Sequence, residues 1–233
     1  MSGTLYGVGV GPGDPELVTR KAWRLIENAS FVAYPAPDNA DSFARRIAAE
    51  AIAPNATELP IIIPMRADRF PAQDVYDEAA KRIAERLDAG DDVVTLCEGD
   101  PFFYGSFMYL WARLRAHPTI VVPGVSSVMA CASAWQRPLT ARNDMLTVIP
   151  ATRPAEDIRQ ALERAEAAAI MKLGRHFEKV RGILRDLGLE DRAGYVERAS
   201  LPEQRVIPLA DVKGEAPYFS MILVTKGDDP WLS

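Results

Sequence analysis

Three short stretches hold the residues whose types and spacing could do chemistry. The first is "LYGVGVGPGDPEL", residues 5–17, where Gly7, Gly9, Gly11 and Gly13 alternate with other residues and Pro12 separates the last two. Alternating glycine bares the backbone, as a phosphate or dinucleotide turn requires. A dinucleotide fingerprint needs G-x-G-x-x-G, yet the sixth residue counted from Gly7 is Pro12 and from Gly9 is Asp14. No G-K-[ST] follows, so a nucleotide-phosphate loop fails as well. What remains is a backbone-dense turn entering a helix, with Asp14 as the expected N-cap and Pro15 at the first helical position.

The second stretch is "CEGDPFFYGS", residues 97–106, at the carboxyl end of the apolar run "VVTL". Open α/β sheets place their ligands at such ends. Gly99 and Gly105 allow close backbone approach, and Asp100 before Pro101 favours a fixed turn. The third is "VVPGVSSVMACAS", residues 121–133, again following an apolar run. Ser126 and Ser127 stand near a helix start and could cap it. Ala130, Ala132, Ser133 and Ala134 would let something pack flat against that helix. All three loops offer backbone and small side chains, which suits a ligand read by main-chain hydrogen bonds instead of by charge.

The elements that must position these loops alternate from the start. Strands are expected at "TLYGVGV", "SFVAYP", "ELPIII", "DDVVTLC" and "TIVVPG", with helices after Asp14 and over 41–52, 72–89, 105–116 and 125–135. The segment "WQRPLTARND" interrupts the rhythm and marks a linker at 136–143. Beyond it come "MLTVIPA", a helix over 154–166, "AAAIMKL", a helix over 176–187 and "AGYVERA". "QRVIPL" and "YFSMILVTK" close the chain without a helix between them, which predicts an antiparallel pair. The expected class is α/β, with two α/β domains (1–135 and 144–233) and a ligand cleft between them.

Bulk properties narrow the function. The 233 residues carry a formal net charge of −5, which offers no general attraction for nucleic acid or an anionic membrane. Two cysteines and two histidines give neither a disulfide framework nor zinc-ligand spacing, so no protein-bound metal is expected. His176 at a helix start could be imagined as a cobalt ligand or as a surface or capping residue. No basic-then-apolar leader and no membrane-length apolar run is visible, which makes the cytoplasm the expected compartment.

Taken in order, "GVGVGPGDPEL", "EGDPFFYGS", "PGVSS", "MKL" and "VERASLPEQRV" resemble the tetrapyrrole (corrin/porphyrin) methylase family, which uses S-adenosylmethionine. The resemblance runs from residue 5 to the final strand. Within the family, "GDPELVTRKA" and "EGDPFFYGSFMYL" are most similar to the members that methylate C20 of precorrin-2 to give precorrin-3A in cobalamin biosynthesis. The resemblance implies a homodimer of two-domain subunits with the methyl donor in the interdomain cleft. It assigns Pro12 to the first cleft loop, Glu98, Gly99 and Asp100 to the donor-holding loop, and Phe103 to a nearby apolar contact. Ser126 and Ser127 match the third loop, Met171 a pocket methionine of the second domain, and Ala199 a position where relatives often carry glycine.

One departure bears on substrate. Relatives that methylate uroporphyrinogen carry an aspartate soon after the second strand, where this chain reads "VAYP" with Tyr34 and Pro35, and Asp38 is the nearest acid. A precorrin-2 acceptor is rich in carboxylates, and Arg66, Arg69, Arg137, Arg142 and Arg153 lie in loop-like segments that could clamp them. Phe102, Phe103, Phe107, Tyr109 and Trp111 could stack on a macrocycle or pack the core or a dimer interface. The cobalt complex of precorrin-2 is the alternative acceptor, and a module that binds a tetrapyrrole without turnover is the alternative class.

Overall fold

The computed structural model describes residues 2–64 and 70–227. The chain forms two compact units, Met1–Ser126 and Ser127–Ser233. In the first, five parallel strands stand in the order β3-β2-β4-β1-β5. They are β1 (Leu5–Gly9), β2 (Phe31–Pro37), β3 (Thr57–Ile63), β4 (Val93–Cys97) and β5 (Thr119–Val122). Every residue of β4 is buried, as a central parallel strand covered on both faces demands.

Helices α1 (Arg20–Glu27) and α2 (Phe43–Ile47) cover one face, burying Ile26 and Ile47 against Val8, Val32 and Leu96. Helices α3 (Phe70–Asp88) and α4 (Phe107–Arg113) cover the other, where Ile83, Leu87, Phe107 and Leu110 meet Leu5 and Val93. Each such fully buried side chain contributes about 1.5–3 kcal/mol. The expected cap at Asp14 is displaced from its helix. Asp14 accepts from the Glu16 N–H at 2.9 Å and caps only a 3-10 turn, Pro15–Leu17, while Thr19 caps α1 by accepting from the Ala22 N–H at 3.1 Å.

The second unit begins with α5 (Ser127–Trp135), followed by β6 (Leu146–Pro150), α6 (Ala155–Arg164), β7 (Ala167–Met171), α7 (Phe177–Asp186), β8 (Ala193–Glu197), β9 (Arg205–Pro208) and β10 (Ser220–Thr225). Its sheet runs β6-β7-β10-β8-β9, with β6 and β7 parallel and the remaining neighbours antiparallel. The expected pairing of the last two strands is therefore corrected: β9 and β10 are each antiparallel to β8, which lies between them. The connection between them buries Leu209, Val212 and Ala216 in the core shared with α6 and α7, so it crosses a face and makes no hairpin.

The boundary is corrected too. Val128, Ala130 and Cys131 of α5 share a buried cluster with Ala169, Val196, Met221 and Leu223, which assigns this helix to the second unit. Residues 136–143 then form a loop inside that unit, not a linker between domains. The small residues of α5 serve this contact, with Ala132 and Ala134 also packed on the cluster.

Gly7 is dictated by packing, because a Cβ there would lie 2.3 Å from the ring of Phe107, which is 1% exposed. Phe107→Ala is expected to cost about 3–5 kcal/mol in denaturant unfolding. Gly7→Ala is expected to cost less in that background than in the parent chain, and additive losses would contradict this packing.

Candidate functional site

In the first unit the candidate residues gather where β1 and β4 part. These neighbours run parallel, yet β1 is followed by α1 on one face and β4 by α4 on the other. Adjacent parallel strands whose connections leave to opposite faces open a crevice at their carboxyl ends. Main-chain contacts fix the loops there. The Gly99 N–H donates to the Gly11 carbonyl at 2.8 Å, and the Gly11 N–H returns a bond to the Gly99 carbonyl at 3.2 Å. Both glycines have positive φ, +80° at Gly11 and +62° at Gly99, a region that favours glycine. A Cβ on Gly124 would come within 2.0 Å of the Gly99 carbonyl oxygen, so the third loop also closes on bare backbone.

Asp100 holds these loops in place. Its Oδ2 accepts from the Gly124 N–H at 3.1 Å and its Oδ1 from the Phe102 N–H at 2.9 Å. Pro12 and Glu98 are half-buried beside the crossing. Burial pushes the Glu98 carboxyl above its ordinary value of 4.5, with partial relief from the backbone N–H groups of Glu98 and of Ala44 in α2. Phe103 stands edge-on to Tyr104 at 5.2 Å and is 36% exposed. The aromatic stripe divides: Phe107 is core, Tyr109 pairs with Tyr76, and Phe102 and Phe103 face outward. Ser126 ends the first unit.

In the second unit, the register gathers Ser127, Met171 and Ala199 at one edge. Met171, Met221 and Val196 stand opposite one another across β7, β10 and β8, and Ala199 follows the end of β8. At the other end of α5, the Trp135 ring covers Gly194, where a Cβ would lie 2.1 Å away. Since Gly194 lies near the amino end of β8, Ser127 falls toward the carboxyl ends of β7 and β8. Lys172, Arg198 and Ser200 adopt positive φ around Met171 and Ala199. Gln204 closes the turn by accepting from the Ser200 N–H at 2.8 Å.

The five arginines do not behave as one cluster. Arg66 and Arg69 lie outside the described residues. Arg137 stacks over Trp135 at 5.3 Å. Arg142 precedes β6, and Arg153 follows it and pairs with Asp157 at 2.6 Å. A strand of that length spans about 16 Å, so these two stand at opposite edges, and only Arg153 shares an edge with Met171 and Ala199. Nothing in the residue types distinguished the two ends; the strand order does. Two participants escaped sequence reasoning: Gly124, legible only as one glycine in "PGVSS", and the buried Glu197 beside Ala199.

Tyr34 occupies the position where an acid was sought, and its phenol is already engaged. It is 7% exposed in β2, and burial followed by its hydrogen bond to Glu58 raises its pKa. Glu58 in turn receives two bonds from Arg45, at 2.7 and 2.9 Å. Asp38 lies in an exposed turn. Burial likewise raises the Cys97 thiol to about 11 and the Cys131 thiol to about 12, which keeps both inert at neutral pH. His176, half-buried at the start of α7, has its pKa lowered by desolvation and by Lys179 and Arg175. Among the described residues no group of three or more His, Cys, Asp or Glu could hold a metal, and no helix is long and apolar enough to cross a membrane.

These features define a two-unit α/β protein whose strand-end loops are built from main-chain contacts and small side chains. The chain belongs to the tetrapyrrole (corrin/porphyrin) methylases, whose family model matches residues 4–213. It is 45% identical over 235 residues to the cobalamin biosynthesis protein CobIJ of Mycobacterium tuberculosis, a match covering 97% of this chain and 46% of that protein. The chain thus spans about half the length of that relative. It is 38% identical over 232 residues to a precorrin-2 C(20)-methyltransferase of a Sinorhizobium species, covering 95% of each. Among solved structures, uroporphyrin-III C-methyltransferase from Thermus thermophilus complexed with S-adenyl homocysteine superposes with a TM-score of 0.69 at 27% identity, covering 96% of this chain and 98% of that one.

Two predictions follow from the loop geometry. Asp100→Ala strands the Gly124 and Phe102 N–H groups and is expected to cost about 1–3 kcal/mol in urea unfolding, with Asp100→Asn, which keeps an acceptor oxygen, losing less. Equal losses would show that the carboxylate geometry is irrelevant. For Glu98, a raised folded pKa means that the folded chain holds the proton more tightly than the unfolded one. Its stabilising contribution is complete below 4.5 and is lost as pH rises through the folded value. Glu98→Gln removes that titration, so its melting temperature is expected to gain on the parent's as pH rises from 4.5 to 7. Parallel curves would count against a desolvated carboxyl.

Proposed function

We propose that this chain is an S-adenosylmethionine-dependent C-methyltransferase that methylates C20 of precorrin-2, giving precorrin-3A in cobalamin biosynthesis. The observation that carries the reading is the match to the Sinorhizobium enzyme along almost the whole of both chains. The two clusters of strand-end residues support it. The donor, when bound, supplies an electrophilic methyl group on a cationic sulfur that is neutralised as the methyl leaves. Such a loss of charge is favoured by an apolar lining over a watery one.

The residues fit that task. Pro12, Glu98, Gly99, Asp100 and Ser126 from the first unit, and Ser127, Met171 and Ala199 from the second, would hold the donor, with Phe103 as an apolar neighbour. Asp100 contributes by fixing the loops, since both of its oxygens are bonded to backbone N–H groups. The chain's main contribution is alignment of methyl, sulfur and acceptor carbon, which can supply up to roughly 7–11 kcal/mol of a barrier. The acceptor's electron-rich conjugated system brings the nucleophile. With Tyr34 bonded to Glu58, this chain has no acid–base group at the position where uroporphyrinogen methylases carry an aspartate, which favours precorrin-2 over uroporphyrinogen. The reading includes a cytoplasmic homodimer: both cysteines are free and buried, in keeping with a reducing compartment, and Phe102, Phe103 and Tyr104 are exposed.

The test is an anaerobic mass-spectrometric assay with S-adenosylmethionine and either precorrin-2 or its cobalt complex. One methyl gained on the metal-free acceptor, located at C20 by NMR, is the expected result. Gain on the cobalt complex alone would replace the acceptor, and donor binding without turnover on either would replace the enzyme with a binding module.

A further inference from the structure

One edge of the second unit's sheet concentrates positive charge in its loops. The loops leaving the carboxyl ends of β6, β7 and β8 are 151–154, 172–176 and 198–204, and they carry Arg153, Lys172, Arg175 and Arg198 against the single acid Glu203. The loops at the opposite edge mix the two signs, with Asp144, Glu166, Glu190 and Asp191 beside Arg137, Arg142, Arg192 and Lys226. In a chain of net charge −5 this concentrates positive potential at the edge that holds Met171 and Ala199.

One group at that edge is built with unusual care. Glu197, the last residue of β8, is 5% exposed, and its register partner is Arg205, the first residue of β9. Its Oε1 accepts from the fully buried Tyr195 hydroxyl at 2.8 Å, and its Oε2 accepts from Arg205 Nη1 at 3.2 Å. Burying a carboxylate costs several kcal/mol, and a buried ion pair is seldom more stable than an apolar replacement. Stability therefore does not account for it; orientation does. The Arg205 side chain is 57% exposed, so a guanidinium anchored from below leaves its other N–H groups open to solvent. Arg198 follows Glu197 directly, is exposed with φ of 48°, and has no carboxylate partner among the described residues.

We propose that the mouth of the β8–β9 turn is a carboxylate-recognition site, in which Arg205, oriented by Glu197 and Tyr195, and Arg198 take acid side chains of the macrocyclic acceptor. This rests on the methylase reading for the identity of the acceptor but not for the anion chemistry. Arginine suits the role because its fork can give two parallel bonds to one carboxylate. Glu197 is a positioning residue, acting only through Arg205.

The test titrates the full chain and its variants with uroporphyrin III, a stable octacarboxylate macrocycle, by fluorescence, and separately with S-adenosylhomocysteine by calorimetry. Arg205→Ala and Arg198→Ala are each expected to weaken macrocycle binding about tenfold with donor affinity unchanged. Arg205→Lys is expected to recover only part of the loss, and Glu197→Gln to weaken macrocycle binding alone. Arg185→Ala, an exposed arginine in the last turn of α7, is expected to change neither. Unchanged macrocycle affinity in both Arg198→Ala and Arg205→Ala overturns the proposal. Joint loss of donor and macrocycle in Arg205→Ala makes that residue a fastener of the turn and overturns its role here. Should Arg205→Ala fail to fold, Arg198→Ala decides, since the Arg198 side chain is exposed and pairs with no carboxylate among the described residues. If the parent chain methylates neither precorrin-2 nor its cobalt complex yet these arginines still govern octacarboxylate binding, the methylase reading falls and this one stands.

Discussion

Where β1, β4 and β5 end, their loops meet through main-chain atoms, and the rest of the site depends on that contact. The approach of Gly9 and Gly124 to the Gly99 carbonyl leaves no room for a side chain on either, and Gly11 and Gly99, joined by reciprocal bonds, both stand at positive φ. Three glycines of the opening alternation answer separate demands. Gly7 admits the Phe107 ring, Gly9 lies beneath Gly124 and the Gly99 carbonyl, and Gly11 supplies a positive φ. A bare turn of this kind binds no phosphate by itself. The Val10 N–H and both backbone groups of Gly11 are spent on the β4 end and the loop after it, and what the turn offers a ligand is shape. The Asp100 carboxylate, which by type reads as a ligand group, is consumed in the same bracing.

The second unit solves the complementary problem with alanine. Ala167 and Ala169 of β7 face the cluster that holds Ala130 and Cys131 of α5, while Ala168 faces the opposite core with Ile170. Small side chains on the inward faces of both strand and helix let α5 lie close on the sheet. That closeness carries Ser127 to the edge where Met171 and Ala199 stand. Because Ser126 belongs to one unit and Ser127 to the next, the third loop is the chain's passage between them. A boundary drawn from composition falls later, since "WQRPLTARND" has the look of a linker whereas "PGVSS" has the look of a turn.

This contrast marks what was legible. Every strand and helix announced itself through apolar periodicity, and the strand-end location of the loops followed from it. Pairing was not legible: β8 separates β9 from β10 because residues 209–219 bury Leu209, Val212 and Ala216, a long-range choice that local pattern does not encode. Glycine pairs such as Gly11 and Gly99 are distant in sequence, so their contact appears only once β1 and β4 are neighbours. The arginines illustrate the same limit. Arg142 and Arg153 look equivalent as loop residues until β6 is seen to run between them.

Net charge conceals as much as it tells. The sum over the chain is acidic, yet the loops leaving the carboxyl ends of β6, β7 and β8 carry four bases against one acid, and a ligand samples the local field and not the sum. Tyr34 makes the point for neutral chemistry. Replacing an acid by tyrosine removes a charge, but the phenol enters a cluster with Glu58 and Arg45 that ties β2, β3 and α2 together. A group so engaged, with its pKa raised, stays protonated at neutral pH and serves architecture. Under the methylase reading, an acceptor whose own conjugation makes the carbon nucleophilic needs no acid at that position of β2.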